Sequence, residues 1–388
     1  MKPFNPEKAK IFKTPKYGGV TLALLSMFVL ASMMVVWNKL SPENPSMPLR
    51  VLCADALRFP VEQGASQFER EMKVKVSLDF AQAQSEQDGY DLYIPTESTV
   101  AKEYGHGSTA IPVASQSLIL ATRKNFPTNL SDLDQFFQEN LAYGTCLTSS
   151  SSGNALKEAL ATGGKWDTLA SGGKATFSSS VEASAALSSG NSLDAVFIWD
   201  SVARQFGLRI HRLKELKSAS GTIYAKLGKD MGNRAQALQF ARFLAAPSKG
   251  QFYFAKQNFV GVKGDAWTKK PVLYVYCANN VKDIMLDKFE RFEEHENVSI
   301  DSHFLDPDKI PFVIGVIGQS KAKKSLPDLV FGSMEKEGEE PSGQFELLSE
   351  SLDLNIFQIP VYKRKLTRFP STARRLLQFL QAAERANN

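Results

Sequence analysis

The sequence predicts an α/β protein. We expect a two-lobed clamp and then a second, single-lobe α/β domain, both preceded by one N-terminal transmembrane helix. Three observations lead to this prediction. Residues 18–37 carry no charge, the segment 49–80 reappears at 273–304, and the first copy keeps a block of about 100 residues that the second copy lacks. Each observation accounts for one part of the chain, from the N-terminus onward.

The uncharged run at 18–37 has about the ~20 residues that a helix needs to cross a bilayer. Five lysines precede it and only Lys39 follows closely, which places the N-terminus in the cytoplasm. We therefore predict a basic cytoplasmic tail over 1–16, a transmembrane anchor over 17–38 and a tether over 39–48. The chain would cross the membrane once, with everything after Lys39 outside the cytoplasm. A cleaved signal peptide is the alternative interpretation.

The composition excludes several functional classes. Of 388 residues, 43% are hydrophobic and 22% are charged, and the net charge is only +5. No basic run with interleaved aromatic residues occurs, so we expect no nucleic-acid partner. Three cysteines and four scattered histidines are too few for a disulfide scaffold or a histidine-based metal or catalytic centre. The composition favours a binding protein without a cofactor or metal.

An internal repeat organises the chain after the tether. Residues 49–80 align without a gap with 273–304, at an offset of 224. Each copy is typical of an apolar strand, a turn, an amphipathic helix and an alternating strand. Two later matches follow: Asp91 with Asp328 at an offset of 237, and Phe243 with Phe379 at an offset of 136, so the offset falls by 101 residues between them. Cys53 and Cys277 share one repeat position and are expected to be buried, and a pairing of either with Cys146 is left open.

The fall in offset locates a block, at about 117–217, that only the first copy contains. This block alternates strands and helices of its own, including a helix expected over 130–141 with Asn129 or Ser131 as its cap. A chain that leaves one lobe, builds a second and returns makes two crossovers. We therefore predict a clamp over 49–266 with a hinge and a ligand cleft between its lobes. A reduced single-lobe repeat would follow over 272–388.

These segments resemble a known family. Cys53-Ala-Asp-Ala-Leu57, Tyr90-Asp-Leu-Tyr-Ile-Pro95, Asp194-Ala-Val-Phe-Ile-Trp199 and the closing helix at 237–246 have the order and spacing of type II periplasmic solute-binding proteins. They are most similar to the molybdate-binding component of ABC transporters. The resemblance covers about 49–266, with a partial second copy at 272–388. It implies a type II periplasmic-binding-protein clamp that closes on a small anionic solute, with an ABC permease or another membrane protein as partner. It also implies that the anchor lies in the bacterial inner membrane and that the bulk of the chain is in the periplasm.

Family members hold a tetrahedral oxyanion with hydroxyls and backbone N–H groups at helix N-termini, without lysine or arginine. In the first lobe, the serine that the family uses aligns with Ala56, and the Gly-Ser-rich turn expected after Phe80 is absent. The preceding residue is Asp55, whose carboxylate would repel an anion. Asp55 as the cap of its own helix is the simpler interpretation.

The second lobe matches the family better. The resemblance implies that the ligand is held at one helix start, at one turn and at one strand end, by Ser149, Ser150, Ser151, Gly153, Asn154, Val181 and Trp199. A serine-rich segment before a helix is also what an ordinary N-cap requires. Trp199 takes the place of a tyrosine in the family, and it also fits a core or rim position.

No catalytic motif is present: the sequence lacks a nucleophile elbow, an HExxH motif and a phosphate loop, so we expect no enzyme. The sequence predicts a membrane-anchored periplasmic solute-binding protein. The alternative is a structural or interaction protein that keeps the fold and has lost ligand binding. In either case we expect the apolar segment 310–317 to be covered, and the C-terminal lobe to pack against the first domain or a partner.

Overall fold

The computed structural model describes residues 47–81, 89–96, 110–161, 164–190, 192–228, 232–319, 326–333, 345–348, 352–354 and 357–385. The chain divides into two units, Met1–Met47 and Pro48–Asn388, and the fold below is that of the second. The predicted tail, the anchor and most of the tether lie outside the described residues. Of the helices that are described, none has both the length and the apolar character needed to span a bilayer.

Nine strands of the N-terminal part form one connected sheet. The strands are β1 Leu49–Ala54, β2 Val76–Ala81, β3 Leu92–Ile94, β4 Ala110–Thr122, β5 Tyr143–Cys146, β6 Ala175–Phe177, β7 Ala195–Trp199, β8 Arg209–His211 and β9 Ser220–Leu227. Their order in the sheet is β2-β1-β3-β9-β4-β7-β5-β6, with β8 beside β4. β1 pairs in parallel with β2 and β3, and β5 pairs in parallel with β6 and β7.

The long strand β4 belongs to both halves of this sheet. It pairs antiparallel with β9 between Ala110 and Ser117, and antiparallel with β7 from Leu118 onward. We call the half with β1, β2, β3 and β9 lobe one, and the half with β5, β6, β7 and β8 lobe two. The chain leaves lobe one within β4 and returns just before β9, where the Leu118 N–H donates to the Ala219 carbonyl. Both crossings therefore lie side by side at one hinge.

Helices cover both lobes. They are α1 Arg58–Met72, α2 Leu133–Gln138, α3 Ser151–Ala161, α4 Lys165–Gly172, α5 Ser180–Ser188, α6 Asp200–Gln205, α7 Arg234–Ala245 and α8 Gly250–Lys256. Alternation along β7 explains the core of lobe two, because Phe197 and Trp199 face one buried cluster while Val196 and Ile198 face another. The helix expected at 130–141 is shorter, since Asp132 caps it by accepting from the Gln135 N–H at 2.9 Å.

The C-terminal domain is built on a separate sheet. Its elements are β10 Val272–Ala278, α9 Lys282–Glu296, β11 Ser299–Leu305, α10 Ile310–Gln319, β12 Leu329–Phe331, β13 Phe345–Leu347, β14 Leu352–Leu354, β15 Phe357–Ile359, β16 Val361–Arg364 and α11 Pro370–Arg385. Five strands form the sheet in the order β11-β10-β12-β16-β13, and β14 and β15 form a second, two-stranded sheet. The apolar segment 310–317 forms most of α10. The expectation that it is covered holds for one face only: Ile310 and Ile314 are buried against the sheet, whereas Phe312 and Val316 are 61% and 53% exposed.

The two repeat segments have the same local structure. Each is a strand, a three-residue 3-10 helix, a fifteen-residue helix and a parallel strand. The strand register is also the same, with Leu49 opposite Val76 and Leu273 opposite Ile300. One aspartate in each segment makes the same bond: Asp91 accepts from the Arg50 N–H at 2.9 Å, and Asp328 accepts from the Tyr274 N–H at 3.1 Å.

The C-terminal domain packs against lobe one. The Arg234 side chain on α7 donates to the His295 carbonyl at 2.9 Å, and Arg242 donates to the carbonyls of Glu296 and Asn297 at 2.5 and 3.3 Å. The prediction that this domain does not swing free is therefore confirmed. Cys53, Cys146 and Cys277 are all buried and none forms a disulfide.

Candidate functional site

Two helix starts of lobe two meet at the end of β7. Trp199, the last residue of β7, pairs with Leu118, the first residue of β4 beyond the hinge. Its indole N–H donates to the Ser151 hydroxyl at the start of α3, at 3.3 Å, and its backbone N–H donates to the Ser180 hydroxyl at the start of α5, at 3.4 Å. The N-termini of α3 and α5 therefore converge on one residue beside the hinge.

The start of α3 is held tightly against the end of β5. Ser150 acts as its cap, because its hydroxyl accepts from the Gly153 N–H at 3.1 Å and donates to the Leu147 carbonyl at 2.8 Å. A Cβ added at Gly153 would lie 2.0 Å from the Leu147 carbonyl oxygen, so only glycine allows this approach. The predicted residue Ser149 is exposed, and Asn154 donates to Glu158 at 2.8 Å.

The start of α5 is capped from both directions. The Ser179 hydroxyl accepts from the Glu182 N–H at 3.2 Å, while the Glu182 carboxylate accepts from the Ser178 N–H at 2.8 Å. Hydrogen bonds from the Ser178 side chain and backbone lower the pKa of Glu182. The predicted residue Val181 is buried in the same cluster as Trp199. The order of this turn keeps the first amides of α5 at the end of β7.

Trp199 lies in the core between these helix starts. Its side chain is fully buried, and its ring lies 2.6 Å from where a Cβ at Gly221 on β9 would stand. Gly221 therefore leaves the space that the indole fills. Burying a tryptophan removes a large apolar area from water, so Trp199 stabilises the join between β7, β9 and the two helix starts.

The two predicted site residues of lobe one, Asp55 and Ala56, follow the end of β1. Ala56, in the 3-10 helix Asp55–Leu57, packs against the lobe-two cluster that contains Trp199. Asp55 does not cap a helix with its side chain; it forms an ion pair with Arg58 at 2.8 Å. The structure thus brings together Ala56, Ser151, Val181 and Trp199. Ser150 and Gly153 are bonded to each other in the same helix start as Ser151. Ser149 is exposed and Asn154 is half-exposed.

A buried network at the hinge was not predicted from the sequence. Asp200 is 1% exposed, accepts from the Ser117 N–H at 3.1 Å and pairs with Arg204 at 3.0 Å. Its neighbour Ser201 donates to the Gln116 side chain at 2.6 Å, and Gln116 donates to the Thr96 carbonyl at 2.7 Å. The sequence signal that could have indicated this network is an aspartate, Asp200, directly after the apolar strand β7.

The arrangement suits an anion better than a cation. The N-termini of two helices carry partial positive charge, and the serine hydroxyls beside them can act as donors. No group of three or more histidine, cysteine, aspartate or glutamate side chains that could hold a metal ion occurs within the described ranges.

Comparison with known proteins identifies the family. The family model described as bacterial extracellular solute-binding protein matches residues 49–259. This chain belongs to that family. A search of curated proteins finds no significant match.

Solved structures of low sequence identity match a little over half of the chain. A substrate-binding domain of a putative molybdenum ABC transporter from Clostridium difficile is 19% identical, with a TM-score of 0.41, and the match covers 56% of this chain and 99% of that one. The periplasmic molybdate-binding protein of Azotobacter vinelandii is 17% identical, with a TM-score of 0.42, over 55% and 100% of the two chains. Peb3 from Campylobacter jejuni is 13% identical, with a TM-score of 0.44, over 55% and 100%.

Proposed function

We propose that this solute-binding protein is anchored in the inner membrane and binds a small, molybdate-like anion between lobes one and two in the periplasm. The convergence of the α3 and α5 N-termini on Trp199 is the observation that carries the proposal. The dipoles of two helices and the Ser151 and Ser180 hydroxyls then lie at one strand end beside the hinge, and they need no basic side chain to attract an anion. An ABC permease or another membrane protein would receive the bound form.

Binding would act through the hinge. Because both crossings are strands joined by hydrogen bonds, the lobes bend about Ser117 and Leu118 on one side and Ala219 and Ser220 on the other. A solute that contacts both lobes stabilises the closed arrangement, and the partner recognises that arrangement.

Isothermal titration of the purified full-length chain in detergent with molybdate and sulfate tests the proposal. Ser151→Ala and Ser180→Ala each remove a hydroxyl at a helix start, and a hydrogen bond to a charged group contributes about 1.5–3 kcal/mol, so we expect at least about tenfold weaker binding. Ser171→Ala, in an exposed part of α4, is the matched control. Equal affinity of all three variants would contradict the proposed site.

Lobe one limits the affinity of this site. Ala56 supplies no hydroxyl, and the Asp55 carboxylate stands beside it, balanced by Arg58. We expect weak molybdate and sulfate binding by the natural chain and tighter binding by the double variant Asp55→Ala with Ala56→Ser. Tight binding by the natural chain would show that Asp55 does not oppose the anion.

A second candidate function is an interaction protein that keeps the fold without a ligand. The observation in its favour is that Trp199 fills the space between the helix starts and that Ala56 packs onto the same cluster. In that case no oxyanion raises the unfolding temperature of the chain, whereas the first proposal requires a rise with increasing concentration.

We also infer that the C-terminal domain is a reduced copy of lobe one. The equal registers, the paired aspartates and the pairing of β12 with β16, which matches that of β3 with β9, support this. In the C-terminal domain the short hairpin of β14 and β15 precedes β16, whereas in the first domain the whole of lobe two precedes β9. Such a copy has no facing lobe, so it would bind another surface instead of enclosing a solute.

A further inference from the structure

A pocket of about 300 Å³ lies where the C-terminal domain meets lobe one. One wall is the outer face of β4 and β9, including Tyr224, and a second is formed by Lys263 in the segment that joins the two domains. The third wall is α11. This volume is at the lower end of the range for small-molecule sites.

The α11 wall is a polar stripe. Ser371, Arg374, Arg375 and Gln378 line the pocket, and their spacing of three, four and seven residues places them on one face of the helix. The opposite face supplies Ala373, Leu376 and Leu380 to the core of the C-terminal domain. The helix therefore presents two guanidinium groups to a space bounded by the other domain.

Arg375 is the unusual member of this stripe. It is only 8% exposed, and its Nε lies 2.9 Å from the Glu296 carboxylate. Its Nη1 and Nη2 have no hydrogen-bond partner among the described residues. Buried N–H groups without an acceptor cost free energy, and a guanidinium has two such groups in the geometry of a carboxylate or phosphate fork.

The charges around the pocket are predominantly positive. Glu296 is shared, since Arg242 also pairs with it at 3.3 Å, so one buried carboxylate serves two buried guanidinium groups. Burial, together with the nearby charge of Arg375, lowers the pKa of Arg242 to about 10. Asp265, another buried carboxylate, accepts hydrogen bonds from the first amides of α11. Lys263 and Arg374 are exposed and add two further charges.

We propose that this junction pocket binds a small organic anion through a carboxylate or phosphate group, which accepts hydrogen bonds from Nη1 and Nη2 of Arg375. Arg374 and Lys263 attract the anion at the mouth, and Tyr224 provides a flat wall against which an attached ring or chain can lie. The site is separate from the cleft between lobes one and two. A bound anion contacts both domains, so it stabilises their packing.

Titration of the full-length chain in detergent with phenyl phosphate, benzoate and neutral benzamide tests this. We expect saturable binding of at least one of the two anions and none of benzamide, and the preferred anion distinguishes phosphate from carboxylate. Benzamide binding as tight as that of the anions would overturn the proposal, because the guanidinium fork would then play no part. Inorganic phosphate measures how much the ring contributes.

Variants locate the site. Arg375→Lys keeps the charge and loses the fork, so we expect at least tenfold weaker binding. Because a buried change can prevent folding, the exposed pair Lys263→Gln with Arg374→Gln is the second variant, and it too should weaken binding at least tenfold. Lys217→Gln with Lys270→Gln removes the same charge elsewhere on the exposed surface and should change nothing.

Binding of these anions at the junction pocket does not depend on the cleft between lobes one and two. Ser151→Ala and Ser180→Ala should leave binding of these anions unchanged. If those variants abolish binding while the Lys263 and Arg374 pair does not, the anion binds in the cleft and the junction site is refuted. No saturable binding of any of the anions would refute it as well.

Discussion

At the scale of single residues, Gly153 is the most constrained position of the candidate site. The nearest atoms to an added Cβ are backbone carbonyl oxygens of Leu147 and Cys146, at 2.0 and 2.5 Å, and backbone cannot move aside as a side chain can. We expect Gly153→Ala to destabilise the chain by about 3 kcal/mol and to shift α3 away from β5. Gly315→Ala, in α10 with no atom within 4 Å, is the control and should be neutral or slightly stabilising. Thermal unfolding of both variants measures the difference.

His211 makes the stability of lobe two depend on pH. It is 1% exposed, accepts from the Leu130 N–H through Nδ1 at 3.2 Å, and lies 2.9 Å from the Thr122 hydroxyl. Burial, with a smaller contribution from Arg209, lowers the pKa of His211 to about 4. Between pH 6.5 and 4 the unfolded chain binds the extra proton, so stability is complete above pH 6.5 and falls as the pH decreases.

Urea unfolding at pH 7.5 and 5.0 measures this effect. We expect the natural chain to lose about 2 kcal/mol over that interval through His211. His211→Gln keeps one donor and one acceptor but does not titrate, so its loss should be smaller by that amount. The same pH dependence in both proteins would mean that another group is responsible.

At the scale of elements, the start of α11 depends on a residue from outside its own domain. Asp265, 5% exposed, accepts from the Ser371 N–H at 2.7 Å, from the Thr372 N–H at 3.1 Å and from the Thr372 hydroxyl at 2.6 Å. Asp265→Ala leaves these donors buried without an acceptor, and we expect a loss of about 2 kcal/mol. Hydrogen exchange should then increase in the first turn of α11. Asp265→Asn keeps one acceptor and should lose less; an equal loss would argue against the cap.

Elements with local signals were the ones that the sequence predicted well. The strand, helix and strand at 49–80 and 273–304 follow from hydrophobic spacing, which needs only nearby residues. The helix at 130–141 was predicted too long, because Asp132 competes successfully with Asn129 and Ser131 for the first turn. The double membership of β4 depends on pairing with β7 and β9, which are distant in sequence, and no local pattern indicates it.

The candidate site was predicted less completely than the fold. Serines at a helix start are visible in a sequence, and their meeting at Trp199 follows from the order of strands in lobe two. The hinge carboxylate Asp200 was missed, and so were the Arg375 Nη1 and Nη2 groups, which have no acceptor among the described residues, because each depends on groups in another lobe or domain. Residue type alone does not reveal which buried charge lacks a partner.

At the scale of the whole molecule, the two domains stabilise each other. Deleting 268–388 would leave Arg242, now 4% exposed, without Glu296 and Asn297, and would expose the face of α7 that holds Arg234. We expect the unfolding temperature of the remaining clamp to fall by at least about 5 °C, since 1 kcal/mol corresponds to ~2–4 °C in a protein of this size. Differential scanning calorimetry of the full-length and shortened chains checks this. An unchanged temperature would mean that the C-terminal domain is an independent appendage.

The insertion of β9 between β3 and β4 also determines when the clamp can be completed during synthesis. β3 has β1 on one side, but its other neighbour begins to form only when Leu227 is available to pair with Leu92. At ~5–20 residues per second, that partner is made roughly ten seconds later. Until then β3 is an open edge, and open edges are where strands from different chains mispair. The C-terminal sheet has no comparable delay, because Leu329 pairs with Lys363. Nascent lobe one is therefore open to mispairing for longer than the C-terminal sheet, and it needs protection from aggregation during that time.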